Sequence, residues 1–143
     1  MLKQADLVLG DFEGTINPDY PLSGYPLFNA PQSVTAVISD AGYDVMDLAH
    51  NHILDSGLEG AFTTADAFKE VGIDPVGVYE NPVRDKAPLF IKNVNGIKVA
   101  ILSYAYGFNG LESNLTEKEI ANHLSNLDEK RMKVEIERAE KEA

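Results

Sequence analysis

The sequence predicts an α/β fold, built as a parallel βαβαβ unit followed by a β-hairpin and a C-terminal helix. Three short apolar runs with strand character alternate with two segments whose apolar residues repeat at helical spacing. An Asn-Gly pair between two further runs is the strongest short-range signal for a hairpin. The 143 residues fit a single domain with a core of its own.

The strands of the parallel unit are expected at residues 6–9, 43–49 and 73–78. Each is a short apolar run that leads into a polar or glycine-containing segment. Residues 15–30 hold three prolines together with tyrosines and a phenylalanine, so an aromatic-rich loop without regular structure is expected there. Its position after the first strand suggests a lid over the carboxyl edge of the sheet.

Two helices are predicted to connect these strands. The first begins at Pro31, a residue favoured at the first helical position, and Gly42 ends it as a C′ residue. The second begins where Ser56 and Glu59 have capping-box spacing, and it ends near Gly72. The apolar faces consist of Val34, Val37, Ile38 and Ala41 in the first helix and Leu58, Ala61, Phe62, Ala65 and Phe68 in the second.

The remainder of the chain is expected to form a hairpin and a final helix. Runs at 89–94 and 97–102 flank Asn95-Gly96, and the second run leads into a loop rich in aromatic residues and glycine at 104–110. Asp128 is positioned to cap the final helix. The apolar positions of that helix are Met132, Ile136, Ala139 and Ala143.

The composition excludes several classes of protein. Lys and Arg total 12 against 23 Asp and Glu, and the net charge of −11 argues against nucleic acid or an anionic membrane as partner. The absence of cysteine excludes disulfides and thiolate metal sites. No apolar run reaches about 18 residues and no leader pattern opens the sequence, so neither a transmembrane segment nor a signal peptide is expected in it.

Polar loops follow the first two predicted strands and carry a mixed set of oxygen and nitrogen donors. The donors are Asp11, Glu13, His50, Asn51 and His52. Because parallel strands joined by a right-handed crossover end at the same edge of the sheet, these side chains are predicted to converge where open α/β sheets bind ligands. Mn²⁺, Fe²⁺ and Zn²⁺ accept such donors, and two such ions can hold a phosphoester and activate a water.

Other interpretations of these residues stay open. Each loop alone could be a tight turn or helix start with exposed polar side chains, and only their joint placement favours a metal site. The letters of His50-Asn51-His52 also occur in HNH nucleases, but there they are spread over a ββα unit, and the negative charge disfavours DNA.

Residues near the two loops are interpreted more simply. Asp47 could point into the site from the second strand, whereas Asp55 is interpreted as a turn or helix-start residue and His123 as a surface residue. Side chains of the third loop could line a substrate or pack against the end of a strand. The candidates there are Ser103, Tyr104, Tyr106 and Asn109.

Five segments carry a resemblance to a known family. They are residues 5–16, 28–31, 47–55, 94–100 and 103–107. In this order and spacing they closely resemble the CapA family of bacterial capsule-synthesis proteins, also known as poly-γ-glutamate synthesis proteins. Many relatives have Asn where Asp11 stands, and Ala105 replaces a more usual Thr.

The resemblance implies a fold and a chemistry. The family is similar to the calcineurin-like metallophosphoesterases, whose fold is a four-layered α/β/β/α sandwich. It implies that Asp11 or Glu13 matches the family's second metal motif and that Asn51 is a metal ligand, with Mn, Fe or Zn as the cofactor and two ions in the intact domain. It also implies that His52 stands beside the phosphoryl group as the catalytic residue. The candidate substrate-binding residues are His50, Tyr104, Tyr106 and Asn109.

The resemblance also implies that residues 1–143 are the truncated first half of such a domain. The family's opening metal-binding Asp and its later His-containing motifs are not found in this sequence. The chain is therefore expected to be inactive alone and, as a partial sandwich with exposed apolar surface, to self-associate. The full-length family acts at the cell surface or in association with the membrane.

Two functions follow from the resemblance. The first is a metal-dependent phosphoesterase domain that serves capsule or poly-γ-glutamate export and attachment. The second is a non-catalytic domain that binds the capsule polymer or other capsule-synthesis proteins through its aromatic loops.

Overall fold

The computed structural model of the chain describes residues 2–143 and contains two sheets and four α-helices in that range. The parallel sheet has the order β1-β2-β3, with β1 at Leu9–Asp11, β2 at Val45–Asp47 and β3 at Asp74–Val76. Helices α1 (Ser33–Ala41) and α2 (Gly57–Glu70) connect the strands. The predicted α/β class and the parallel βαβαβ order are confirmed.

Strand β1 lies further along the chain than predicted. It begins at Leu9, opposite Val45, and ends at Asp11, opposite Asp47. Val8 still meets the second strand, because its N–H donates to the Asp44 side chain at 2.8 Å and its carbonyl accepts from Val45. The shift makes Asp11 the last residue of the strand, whereas it was predicted to lie in the loop after it.

Helix α2 packs against the parallel sheet and forms most of the core with it. The buried residues at this contact include Met46, Leu48, Ala61, Ala65, Phe68 and Ile73. Phe12 adds its ring to the core in an edge-to-face contact with Phe68, at 5.2 Å between centroids. Since Phe12 points inward, its exposed neighbours Asp11 and Glu13 are turned away from the core.

The second half of the chain begins with the predicted hairpin. Strands β4 (Ile91–Val94) and β5 (Ile97–Ala100) pair antiparallel. Asn95 and Gly96 between them have φ values of 53° and 89°. Two consecutive residues with positive φ are what a two-residue I′ turn requires, so the Asn-Gly prediction is confirmed.

Two helices follow the hairpin, and only the last was predicted. Helix α3 (Glu117–His123) begins with a capping box formed by Thr116 and Glu119, a pattern that can be read in the sequence. Helix α4 (Glu129–Glu142) is capped as expected by the Asp128 side chain, which accepts from the Arg131 N–H at 3.0 Å.

Three local predictions were wrong. Val37, predicted on the apolar face of α1, is 68% exposed. The Ser56 hydroxyl donates to the Thr15 hydroxyl at 2.7 Å instead of capping α2. Ile136 is 45% exposed and Ala143 is exposed, so the apolar stripe predicted for α4 is not its buried face.

None of the helices in residues 2–143 has the length and apolar character needed to cross a membrane.

Candidate functional site

A cleft of about 620 Å³ lies at the carboxyl edge of the parallel sheet. Residues from the ends of β1 and β2 form one side, and the loop after β5 forms the other. The lining includes Asp11, Glu13, His50, Asn51, Tyr104, Tyr106 and Asn109. The structure thus brings together all the predicted site residues except His52, because the parallel register ends β1 and β2 at the same level. His52 is not part of the lining, but its Nδ1 lies 3.5 Å from Nδ2 of Asn109.

Three carboxylates meet where the two strands end. The pKa of Asp11 is raised above its usual value, first by partial burial and then by the negative charges of Asp47 and Glu13. Asp47 is already engaged, since its Oδ1 accepts from the Ala49 N–H at 2.8 Å and from the Ser103 hydroxyl. Asp11 and Glu13 are therefore the carboxylates left to bind a cation, and a cation would relieve their repulsion.

Asn51 is held by the opposite side of the cleft. Its Nδ2 donates to the side-chain oxygen of Asn109 at 3.1 Å, and Asn109 has a left-handed backbone with φ of 55°. This contact uses the donor end of the Asn51 amide and leaves the oxygen end to a ligand. An amide oxygen beside two carboxylates is a typical ligand for a hard or borderline ion.

His52 is oriented by a buried carboxylate. Its Nδ1 lies 2.8 Å from Oδ2 of Asp55, whose side chain is completely buried. The same Asp55 oxygen accepts from the Phe28 N–H at 2.7 Å, and the Phe28 ring contacts the His52 ring edge to face at 4.7 Å. The interpretation of Asp55 as only a turn residue missed this role, because sequence alone does not show that the side chain is buried.

His50 is a buried, neutral imidazole. Its Nδ1 accepts from the His52 N–H at 3.1 Å, and its Nε2 has no hydrogen-bond partner within residues 2–143. Burial, and after it the neighbouring His52, lower the pKa of His50 to about 4, while the Phe12 backbone acts in the opposite direction. His50 is therefore uncharged at neutral pH.

The two tyrosines of the third loop are placed differently. The Tyr104 hydroxyl donates to Glu135 on α4 at 2.6 Å, so it is directed away from the donors of the cleft. Burial and the contact with Glu135 both raise the pKa of Tyr104. Tyr106, in contrast, is 96% exposed at the edge of the cleft and is free to contact a ligand.

Comparison with known proteins gives the cleft a family context. Residues 1–143 match the sequence profile described as bacterial capsule synthesis protein PGA_cap. The chain belongs to this capsule-synthesis family. The predicted family membership is confirmed, and members of the family have a role in capsule biosynthesis.

Three relatives show how far the sequence similarity extends. It is 34% identical over 112 residues to the capsule biosynthesis protein CapA of Bacillus anthracis, covering 75% of this chain and 27% of that protein. It is 25% identical over 107 residues to the PGA biosynthesis protein CapA of Bacillus subtilis strain 168, covering 73% and 28%.

The third relative is the uncharacterized protein y4sH of Sinorhizobium fredii, which is 29% identical over 116 residues, or 76% of this chain and 25% of that protein. The matches thus span about a quarter of the length of the curated relatives.

The cleft of this capsule-synthesis protein contains oxygen donors of the types that hard and borderline divalent ions accept. Asp11 and Glu13 contribute carboxylates, and Asn51 contributes an amide oxygen. No cluster of three or more His, Cys, Asp or Glu side chains suited to a metal occurs within residues 2–143. Two carboxylates and one amide oxygen are fewer protein ligands than a pair of ions needs.

Proposed function

We propose that this chain contributes part of a divalent-metal-dependent phosphoesterase site that acts in capsule biosynthesis at the cell surface. The observation that carries the proposal is the meeting of Asp11 and Asn51 at one edge of the sheet, next to a histidine held by a buried carboxylate. This combination suits phosphoester chemistry, which needs charge neutralisation and a positioned proton carrier.

The proposed ligands are Asp11, Glu13 and Asn51, with Mn²⁺, Fe²⁺ or Zn²⁺ as the cofactor. When bound, such an ion polarises a phosphoryl oxygen and lowers the pKa of a coordinated water. The protein's own part is to hold these three oxygen donors on a rigid sheet edge. The raised pKa of Asp11 supports this assignment. Burial raises it first, and the negative charges of Asp47 and Glu13 raise it as well, because neighbouring carboxylates repel one another without a cation.

His52 is the proposed catalytic residue. Asp55 holds the Nδ1 side of the ring at 2.8 Å and so leaves Nε2 to accept or donate a proton at the substrate. His50 accepts the backbone N–H of His52, and Nδ2 of Asn109 lies 3.5 Å from Nδ1 of the His52 ring. The proposed substrate contacts are His50, Tyr106 and Asn109, which line the cleft, whereas the Tyr104 hydroxyl is already bound to Glu135.

Metal binding tests the proposal directly. The chain is freed of metal with a chelator, and Mn²⁺ is added during isothermal titration calorimetry. We expect one ion per chain, with affinity reduced by at least about tenfold in Asp11→Asn and in Asn51→Ala. Glu129→Gln is the matched control, since Glu129 is an exposed carboxylate on α4. Equal affinities in all four proteins would contradict the proposal.

Turnover by the chain alone is not expected. The two-ion mechanism needs more ligands than the two carboxylates and one amide that the cleft provides. An assay of 4-nitrophenyl phosphate hydrolysis with Mn²⁺, run beside a family member of full length, checks this. Hydrolysis by the 143-residue chain would contradict the expectation, and hydrolysis by the longer protein alone would agree with it.

A second candidate is a non-catalytic domain that binds capsule polymer or another capsule-synthesis protein. The exposed aromatic side chains Tyr25 and Tyr106 favour it, at 87% and 96% exposure. A polyanionic polymer is repelled by a chain of charge −11 unless a cation bridges the two. Metal-free protein that binds polyglutamate, with loss of binding in Tyr106→Ala, would support this alternative over the first.

A further inference from the structure

A second cavity, of about 440 Å³, lies beside strand β3, and its lining shares no residue with that of the cleft. It is bounded by β3 and the segment that follows it, by the residues at the two ends of the hairpin, and by helix α4. Cavities of about 300–1,000 Å³ are the size that holds small organic molecules in proteins. The second cavity is therefore large enough for a ligand of its own.

Apolar side chains from three segments contribute to the wall of the second cavity. They come from β3 and the residues after it, from the entry to the hairpin and from its exit. The apolar lining includes Val76, Val78, Leu89, Phe90, Ile101 and Leu102. Walls of this kind, combined with a few polar groups that fix orientation, are typical of sites for organic ligands. The body of a ligand in this cavity is therefore expected to be hydrocarbon.

Arg84 supplies a buried positive charge to the wall. It is 4% exposed, and its Nε and Nη2 donate to the two oxygens of Glu135. Its Nη1 makes two further hydrogen bonds, to the carbonyls of Leu124 and Asn126. Since a guanidinium has five N–H groups, one N–H on Nη2 is left without an acceptor within residues 2–143. Arg84 lines the cavity, so a ligand oxygen there can accept this hydrogen bond.

The charged side chains of the lining give the second cavity a positive charge in an acidic protein. Lys69, Arg84 and Arg138 stand against Glu80 and Glu135, which leaves +1 where the whole chain carries −11. Lys69 and Arg138 each pair with a carboxylate of their own helix, but these pairs are exposed and hold their side chains weakly. The second cavity therefore favours an anion, whereas the cleft favours a cation.

We propose that the second cavity binds a small organic carboxylate with an apolar body of the size of one or two rings. The carboxylate contacts Arg84 and Arg138, and the apolar body lies among Val78, Phe90 and Ile101. A single negative charge matches the +1 of the lining better than the nearly two charges of a phosphate monoester. The site is separate from the proposed phosphoesterase cleft and needs no metal, so either proposal can fail without the other.

The test compares ligands that share one ring system and differ in charge. The chain is ¹⁵N-labelled and freed of metal, and it is titrated with 2-naphthoate, 2-naphthamide, 2-(aminomethyl)naphthalene and acetate. We expect 2-naphthoate to bind about three- to tenfold more tightly than the neutral amide, the gain of a charge-assisted hydrogen bond, and the amine to bind most weakly of the three. Acetate, which lacks the ring system, should bind at least about tenfold more weakly than 2-naphthoate.

Amide shifts and variants locate the site. Shifts caused by 2-naphthoate should occur in residues 76–80, 87–91 and 101–103. Arg138→Gln should weaken 2-naphthoate by about three- to tenfold and leave 2-naphthamide within about twofold. Lys133→Gln is the matched control, because Lys133 and Arg138 each pair with a glutamate four residues away on α4 and only Arg138 lines the cavity. Arg84 itself is left intact, since its ion pair attaches α4 to the protein.

Several results would overturn the inference. Equal affinities for 2-naphthoate and 2-naphthamide would show that the cavity does not select an anion, and equal affinities for 2-naphthoate and acetate would show that it does not hold an apolar body. Shifts confined to other parts of the chain would place the ligand elsewhere. Cavity shifts that follow protein concentration and not 2-naphthoate would mean that a second copy of the chain covers this surface. An Arg138→Gln variant that binds like Lys133→Gln would also contradict the assignment.

Discussion

Among single residues, Asp55 has the largest influence on the site because its carboxylate serves two partners at once. It holds the ring of His52 and the backbone of Phe28, and its own side chain is completely buried. Its second oxygen, Oδ1, is buried without a hydrogen-bond partner within residues 2–143. A buried carboxylate of this kind contributes to stability only while its partners are in place.

Replacing Asp55 tests this role. Asp55→Asn keeps the shape but removes the charge and one acceptor oxygen, so we expect a loss of about 1–3 kcal/mol in the free energy of unfolding. Asp66→Asn is the matched control, since Asp66 makes an exposed ion pair with Lys69 and should cost less than about 1 kcal/mol. Urea unfolding followed by circular dichroism measures both. Equal costs would show that Asp55 does not hold the site together.

The buried histidine predicts a pH dependence of stability. The pKa of His50 is lowered, mainly by burial, from 6.5 to about 4. Between these two pH values His50 is therefore protonated in the unfolded chain and neutral in the folded chain. The contribution of His50 is complete above about pH 6.5. It is lost as the pH falls towards 4, at about 1.4 kcal/mol per pH unit.

This dependence is measured as the difference between two proteins. Urea unfolding of the wild type and of His50→Gln is followed from pH 7.5 to 4.5 with a chelator present. All other titrating groups are shared, so the wild type should lose more stability than the variant over this range. Parallel curves would contradict the assignment of His50 as a buried neutral group.

At the scale of elements, helix α4 is attached to the rest of the protein by a buried ion pair. Arg84 is 4% exposed and donates from Nε and Nη2 to the two oxygens of Glu135, at 3.1 and 3.0 Å. Its Nη1 donates to the Leu124 carbonyl, and its guanidinium lies over the rings of Tyr79 and Tyr104. This contact replaces the apolar stripe that was expected to dock the helix.

Breaking this pair should loosen α4. Glu135→Gln leaves the Arg84 charge buried without a counter-ion, and we expect a cost of about 3 kcal/mol in the free energy of unfolding. Glu129→Gln removes an exposed carboxylate paired with Lys133 on the same helix and should cost less than about 0.5 kcal/mol. Chemical denaturation compares the two. A small effect of Glu135→Gln would mean that packing alone holds α4.

At the scale of the whole molecule, the high net charge and the exposed apolar surface have opposite effects on self-association. The net charge of −11 keeps copies of the chain apart, most strongly at low ionic strength. Apolar side chains remain exposed on the hairpin and on α4, among them Ile97 at 69%, Val134 at 56% and Ile136 at 45%. Lys98 contacts the end of α4 at 2.8 Å, which places the two elements side by side.

We therefore expect the chain to self-associate, and more strongly as salt screens the charge. Light scattering coupled to size-exclusion chromatography, run from low to high protein concentration, measures the mass. Ile97→Lys should shift the equilibrium towards the monomer, whereas Val37→Lys, at an equally exposed position on α1, should not. A compact monomer at every concentration and salt level would refute this prediction.

Much of this architecture was readable in the sequence because it depends on local patterns. Apolar runs and helical repeats predicted the βαβαβ order, and Asn95-Gly96 predicted the hairpin turn. The expectation that Asp11, Glu13 and Asn51 share one edge also came from the order of strands and helices. Parallel strands that are connected by helices have their carboxyl ends at the same edge of the sheet.

Contacts between residues far apart in the chain could be known only from the tertiary structure. Asp55 and Arg84 look like ordinary polar residues in sequence, and their importance arises because folding removes them from water next to specific partners. The pKa of a charged group and its contribution to stability depend on its burial and its neighbours. Sequence thus determined which groups reach the sheet edge, and packing decided which of them are held rigid, neutral or free to bind.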